Sequence, residues 1–92
     1  MLFTKYKVVD VIDGVSFKVA PKWFQYNRTG DVVRLSGHKA PAMNEPGGMV
    51  ARSRLQSLIN GKSVRLEAKN VDMSGVLEAD VYLEDRNIAN SL

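Results

Sequence analysis

Hydrophobic and polar residues alternate with a period of two over five stretches of this chain and with a helical period over one. Tyr6 and Val8, running on through Val9 to Ile12, read as a first strand, closed by Asp13-Gly14, a dipeptide that suits a type I′ hairpin turn. Ser16-Phe17-Lys18-Val19 is a second strand with Phe17 and Val19 toward the core. Val32, Val33 and Leu35 form a third, ended by Gly37 and by Pro41, which keeps a helix from starting earlier. Between these two strands, Ala20 to Gly30 is predicted as a long connection, with Pro21 and Gly30 at its ends.

After the breaker cluster Asn44-Glu45-Pro46-Gly47-Gly48, the residues Ala51, Leu55, Leu58 and Ile59 fall on one face of a helix. Asn60-Gly61 supplies a left-handed stop. Val64, Leu66 and Ala68 alternate with Arg65, Glu67 and Lys69 in a fourth strand, Asp72 to Gly75 turn, and Leu77, Ala79, Val81 and Leu83 form one face of a fifth. Five strands with a helix between the third and fourth predict a mainly β chain with one or two helices, arranged as an OB-fold-type five-stranded barrel.

Ninety-two residues make a single domain spanning 1–92. No cysteine is present to staple it or to build a thiolate metal site. Thirteen Lys and Arg against ten Asp and Glu leave a net charge of +3, compatible with a nucleic-acid face without requiring one. No apolar run approaches the roughly 20 residues that span a bilayer, and Met1-Leu2-Phe3-Thr4-Lys5 is not a secretory leader. A cytoplasmic protein without a membrane partner is the expectation, a trimmed leader being the alternative.

Val11-Ile12-Asp13-Gly14-Val15-Ser16-Phe17-Lys18-Val19, Arg34-Leu35-Ser36-Gly37-His38-Lys39-Ala40-Pro41-Ala42, Leu58-Ile59-Asn60-Gly61-Lys62 and Val81-Tyr82-Leu83, with Gly48, Ala51, Leu55, Val64, Leu66-Glu67, Asp72 and Gly75, carry a likeness over roughly residues 5–92. In these positions the chain resembles the staphylococcal-nuclease-like (thermonuclease) domain. The resemblance implies a nuclease-like barrel, shortened at its C-terminus, and it also implies lost chemistry. Where the family carries a calcium-binding Asp after the first glycine this chain has Val15; where it carries the second calcium Asp, Lys39; where it carries the Glu that acts as or assists the general base, Ala42; and where it carries the second phosphate-clamping Arg, Val76. Only Arg34, the first clamping arginine, remains.

Calcium requires six to eight oxygen ligands, usually with more than one carboxylate. Asp13 is the one carboxylate near the family's metal position, and it suits an Asp-Gly turn without any metal. Lys39 adds repulsion. His38 adjoins the site and could act as a base, though a lone His beside a turn is more often solvated or structurally bonded. No cofactor is expected.

Arg34 admits two readings: it grips a phosphate bidentately, or it pairs with a nearby carboxylate. Trp23, Phe24 and Tyr26 crowd the second connection between Lys22 and Arg28, with Lys18 just upstream. OB barrels bind single strands by stacking bases on such rings beside cations; large aromatics also complete cores, and at least one of the three is expected to do so. The leading expectation is a non-catalytic module binding single-stranded nucleic acid or another phosphate-bearing partner through Arg34, Lys39, Lys18, Lys22, Trp23, Tyr26 and Arg28. A protein-interaction domain is the alternative, and a residual calcium-dependent nuclease stands third. The family continues beyond the helix that Asn87 to Leu92 would begin, so an uncovered flank at Ile88 and Leu92 is expected to take a second copy or a protein partner.

Overall fold

A computed structural model describes residues 5–92; the leader reading of Met1 to Thr4 lies outside them. In chain order the elements are β1 (Lys5–Val11), β2 (Ser16–Gln25), β3 (Arg28–Leu35), α1 (Gly48–Ile59), β4 (Ser63–Val71), β5 (Leu77–Leu83), the two-residue β6 (Arg86–Asn87) and a 3-10 turn (Ile88–Ser91). The strands pair in the order β3-β2-β1-β4-β5-β6. A parallel pairing of Val33 to Leu35 with Leu77 to Ala79 then closes the first five into a barrel of the OB type. The predicted fold class is what the chain adopts.

Alternation decides the inside. Phe17, Val19, Val33, Leu35, Leu77, Ala79 and Val81 are buried, while their strand neighbours face out. Leu55 and Ile59, one turn apart, plug the barrel from α1. The helix begins hard against the chain before it: Gly48 packs on the Ala42 carbonyl, where a Cβ would collide. It ends where the Gly61 N–H donates to the Val8 carbonyl at 2.9 Å, tying α1 to β1. Gly61, at φ +76°, carries the left-handed conformation and Asn60 does not.

Four expectations are corrected. Gly14 does not sit at positive φ, so Asp13-Gly14 is no type I′ turn. Its glycine is needed for proximity instead, because a Cβ there would lie 2.6 Å from the Ala51 Cβ and 2.7 Å from the Ala40 Cβ. Ala20 to Gly30 is not a loop. β2 continues through a cis Ala20-Pro21 bond to Gln25 and turns back at Tyr26-Asn27, both at positive φ, into β3. The ladder keeps pairing by letting β2 bulge between Lys18 and Trp23. Ile88, expected to lie uncovered, is 1% exposed and packed in the core, and Leu92 is half-buried against it. The expected last helix is a short strand and a single 3-10 turn, capped by the Asn87 side chain, which accepts the Ala89 N–H at 3.0 Å.

Among the described residues no helix is long and apolar enough to cross a membrane.

Candidate functional site

Apart from Arg34, the positions at which the resemblance places catalytic chemistry are tied into local backbone or left in solvent. The Asp13 carboxylate accepts the Val15 N–H at 2.9 Å and so closes its own turn, while the Val15 carbonyl accepts the Leu35 N–H. Ala42 is exposed, its N–H held by Glu45 Oε1 at 2.9 Å. Val76 donates its N–H to Asp72. Among the described residues, no group of three or more His, Asp or Glu side chains that could hold a metal comes together.

Arg34 takes the pairing alternative. It points outward from β3, directly beside Glu78 in the parallel ladder, and its Nη2 lies 2.7 Å from Glu78 Oε1 and 3.6 Å from Asp72 Oδ2. One cation faces two carboxylates, so this spot repels a phosphate unless a carboxylate is displaced. Asp72 is itself organised. Its Oδ1 accepts from the Ser74 hydroxyl at 2.7 Å, the Ser74 amide and the Val76 amide. These bonds, the hydroxyl first, hold its carboxyl below the ordinary value of 3.8 against an opposing desolvation, with Arg34 contributing less.

The outer face of β4 and β5 is likewise neutralised. Lys69 lies 3.3 Å from Asp80 and 3.8 Å from Glu67, and its ammonium is held above the ordinary 10.5 chiefly by Asp80. The Arg65 guanidinium covers the Tyr82 ring, 4.4 Å from its centroid.

Charge without a partner gathers instead on β2. Lys18 and Lys22 are exposed, and among the described residues neither forms an ion pair; Asp10, opposite Lys18 in the ladder, does not reach it. Phe24, two residues past Lys22, is 65% exposed. Tyr26, 61% exposed, tips the hairpin, its hydroxyl 3.4 Å from the Lys69 carbonyl. Arg28 Nη1 donates to the Asp72 carbonyl at 3.0 Å, which clamps the hairpin tip to the turn between β4 and β5 and leaves the rest of the fork in solvent.

Trp23 is a correction. It is wholly buried, with its indole N–H donating to the Val32 carbonyl at 3.0 Å, and cannot stack on a ligand. The ring that can is Phe24. Sequence parity does not foretell this exchange: between Lys18 and Trp23 β2 advances five residues while β3 advances two, from Val32 to Gly30, so the bulge breaks the alternation. Lys39 sits apart from this surface, in a cleft with His38 and Arg54.

No protein-family model matches the chain, and no curated protein is significantly similar to it.

Proposed function

We propose that this protein is a non-catalytic, nuclease-like OB barrel that binds single-stranded nucleic acid on the outward face of its β2–β3 hairpin. The observation that carries the reading is the Phe24 ring, exposed on β2 two residues from Lys22, which like Lys18 forms no ion pair among the described residues. A base stacks on the ring and the lysines take the flanking phosphates, an arrangement that tolerates any sequence because every base offers a π-face. Tyr26 and Arg28 extend the surface at the hairpin tip. The substitutions Val15, Lys39 and Ala42 support a binding role over hydrolysis, since a phosphodiesterase of the resembling kind needs carboxylates for its metal and its base.

Fluorescence anisotropy of a labelled oligothymidylate, titrated at several salt concentrations with and without calcium, tests this. Three phosphate contacts, from Lys18, Lys22 and Arg28, give a slope of log affinity against log salt of roughly −2. Phe24→Ala weakens binding by about 1–3 kcal/mol for the one base it stacks. Absence of binding at low salt, or binding indifferent to both Phe24→Ala and Lys22→Ala, would overturn the reading; calcium-dependent shortening of the oligonucleotide would restore the enzyme.

A further inference from the structure

Asn60 is followed by glycine, whereas the other asparagines precede Arg28, Glu45, Val71, Ile88 and Ser91. An asparagine before glycine is the one most prone to deamidate, because no Cβ on the next residue shields the backbone nitrogen that attacks the side-chain amide. Both residues are exposed in the connection between α1 and β4. A Cβ built on Gly61 meets nothing within 4 Å, so solvent space adjoins the dipeptide.

The fold withholds two things that the reaction needs. The Gly61 nitrogen must first lose its proton, yet its N–H is given to the Val8 carbonyl at 2.9 Å, and the Val8 N–H in turn donates to the Lys62 carbonyl at 2.9 Å. Closing a five-membered ring also requires the Asn60 Cβ and the Gly61 nitrogen to come nearly eclipsed about the Cα–C bond. At the extended ψ of 130° they stand far from that alignment. Reaching it swings the Gly61 amide plane away from Val8, so both obstacles fall to one motion.

We infer that Asn60 is a deamidation site that the folded protein keeps shut, and that it reacts when the connection between α1 and β4 swings off Val8. The Gly61 nitrogen, deprotonated by hydroxide, bonds to the Asn60 Cγ, and the side-chain nitrogen leaves as ammonia. The resulting succinimide takes up one water and opens as aspartate or, through its other carbonyl, as isoaspartate; nothing is oxidised or reduced. Either product sets a negative charge at the C-terminal end of α1, whose last turn carries no basic residue, and so opposes the helix dipole. Isoaspartate also inserts a methylene into the main chain just before Gly61, which takes the Gly61 N–H out of register with Val8. An opening of this loop is thereby recorded as a permanent change that favours further opening. No residue of the nucleic-acid surface takes part.

The test is to age the 92-residue chain in mildly alkaline buffer, folded and in unfolding guanidinium chloride, and to follow every asparagine by peptide mapping with mass spectrometry. In the unfolded chain Asn60 is expected to convert first, and in the folded chain at least about tenfold more slowly. Ile59→Val, a mild trim of the buried residue next to Asn60, should raise Gly61 amide hydrogen exchange and Asn60 conversion together, each several-fold. Guanidinium below the unfolding transition gives the same comparison on the unsubstituted chain. Asn60→Asp should lower the melting temperature, and chains carrying isoaspartate at this position should melt lower still. A folded chain that converts as fast as the unfolded one, another asparagine reacting first in guanidinium, faster Gly61 exchange without faster conversion, or an unchanged melting temperature in both modified forms overturns the proposal.

Discussion

Trp23 and Gly30 face each other across the β2–β3 ladder with no room for another atom: a Cβ on Gly30 would lie 2.7 Å from Cζ2 of the indole. The ring occupies the volume that a side chain on β3 would fill, and its N–H satisfies the Val32 carbonyl two residues on. Gly30→Ala is expected to displace the ring and destabilise the fold by about 1–3 kcal/mol, in the range of core overpacking. Urea unfolding followed by Trp23 emission measures both effects, the first as a red shift in the native spectrum.

Trp23 and Phe24 are adjacent, yet they predict opposite phenotypes. Trp23→Phe removes the hydrogen bond to Val32 and part of the core volume, costing roughly 1–3 kcal/mol of stability, while the folded fraction keeps its oligonucleotide affinity. Phe24→Ala leaves the melting temperature within a few degrees and loses the affinity. Thermal melts paired with anisotropy on both variants separate the two roles.

The ionic group on Arg34 makes a third expectation. Exposed pairs of this kind contribute about 0–1 kcal/mol, so Arg34→Ala should change stability little. Glu78→Gln, by contrast, releases the guanidinium from its closest carboxylate and should raise oligonucleotide affinity several-fold, with a steeper salt dependence. An unchanged salt slope would mean that Arg34 stays outside the nucleic-acid path.

Asp72 and Lys69 each make stability depend on pH. A carboxyl whose folded pKa is depressed stabilises the fold above its unfolded pKa, and the contribution disappears as pH falls through the folded value; for Asp72 the loss therefore begins near 3.8 and continues below it. A raised lysine behaves in the mirror sense. Lys69 contributes below 10.5, and the contribution disappears as pH rises above that value. Urea midpoints measured across pH should show less acid sensitivity in Asp72→Asn and less alkaline sensitivity in Lys69→Met, each against a lower plateau at neutrality.

Barrel class, element order and the inward faces of β4 and β5 were legible because Val64, Leu66, Leu77, Ala79 and Val81 keep strict alternation; the face of β1 was not, because a bulge between Val8 and Asp10 buries Val8 and Val11 while Val9 and Ile12 are exposed. The β2–β3 hairpin was not, because Pro21 lacks a ladder donor and is a standard end-of-strand mark, while here the chain bulges past it and resumes pairing at Trp23. Reading the aromatics as loop residues made Trp23 a candidate binding ring, and the bulge, which breaks the alternation before Trp23, left nothing in the spacing to correct it. Gly14 shows a second limit. A glycine needed for a turn and one needed because two alanines press on it look the same in sequence, and only the 2.6 Å approach to Ala51 distinguishes them. The partners of Arg34 were beyond reach for a different reason, since Glu78 lies 44 residues away and meets it only through barrel closure.

That closure also fixes when the molecule can come into being. The seam joins Leu35 to Ala79, so a ribosome adding roughly 5–20 residues per second leaves β3 with an open edge for a few seconds after it has emerged. During that interval the nascent chain carries an unpaired strand rich in valine, the kind of edge that recruits other chains. Pairing of Val33 to Leu35 with β5 removes that part of the edge from the finished barrel.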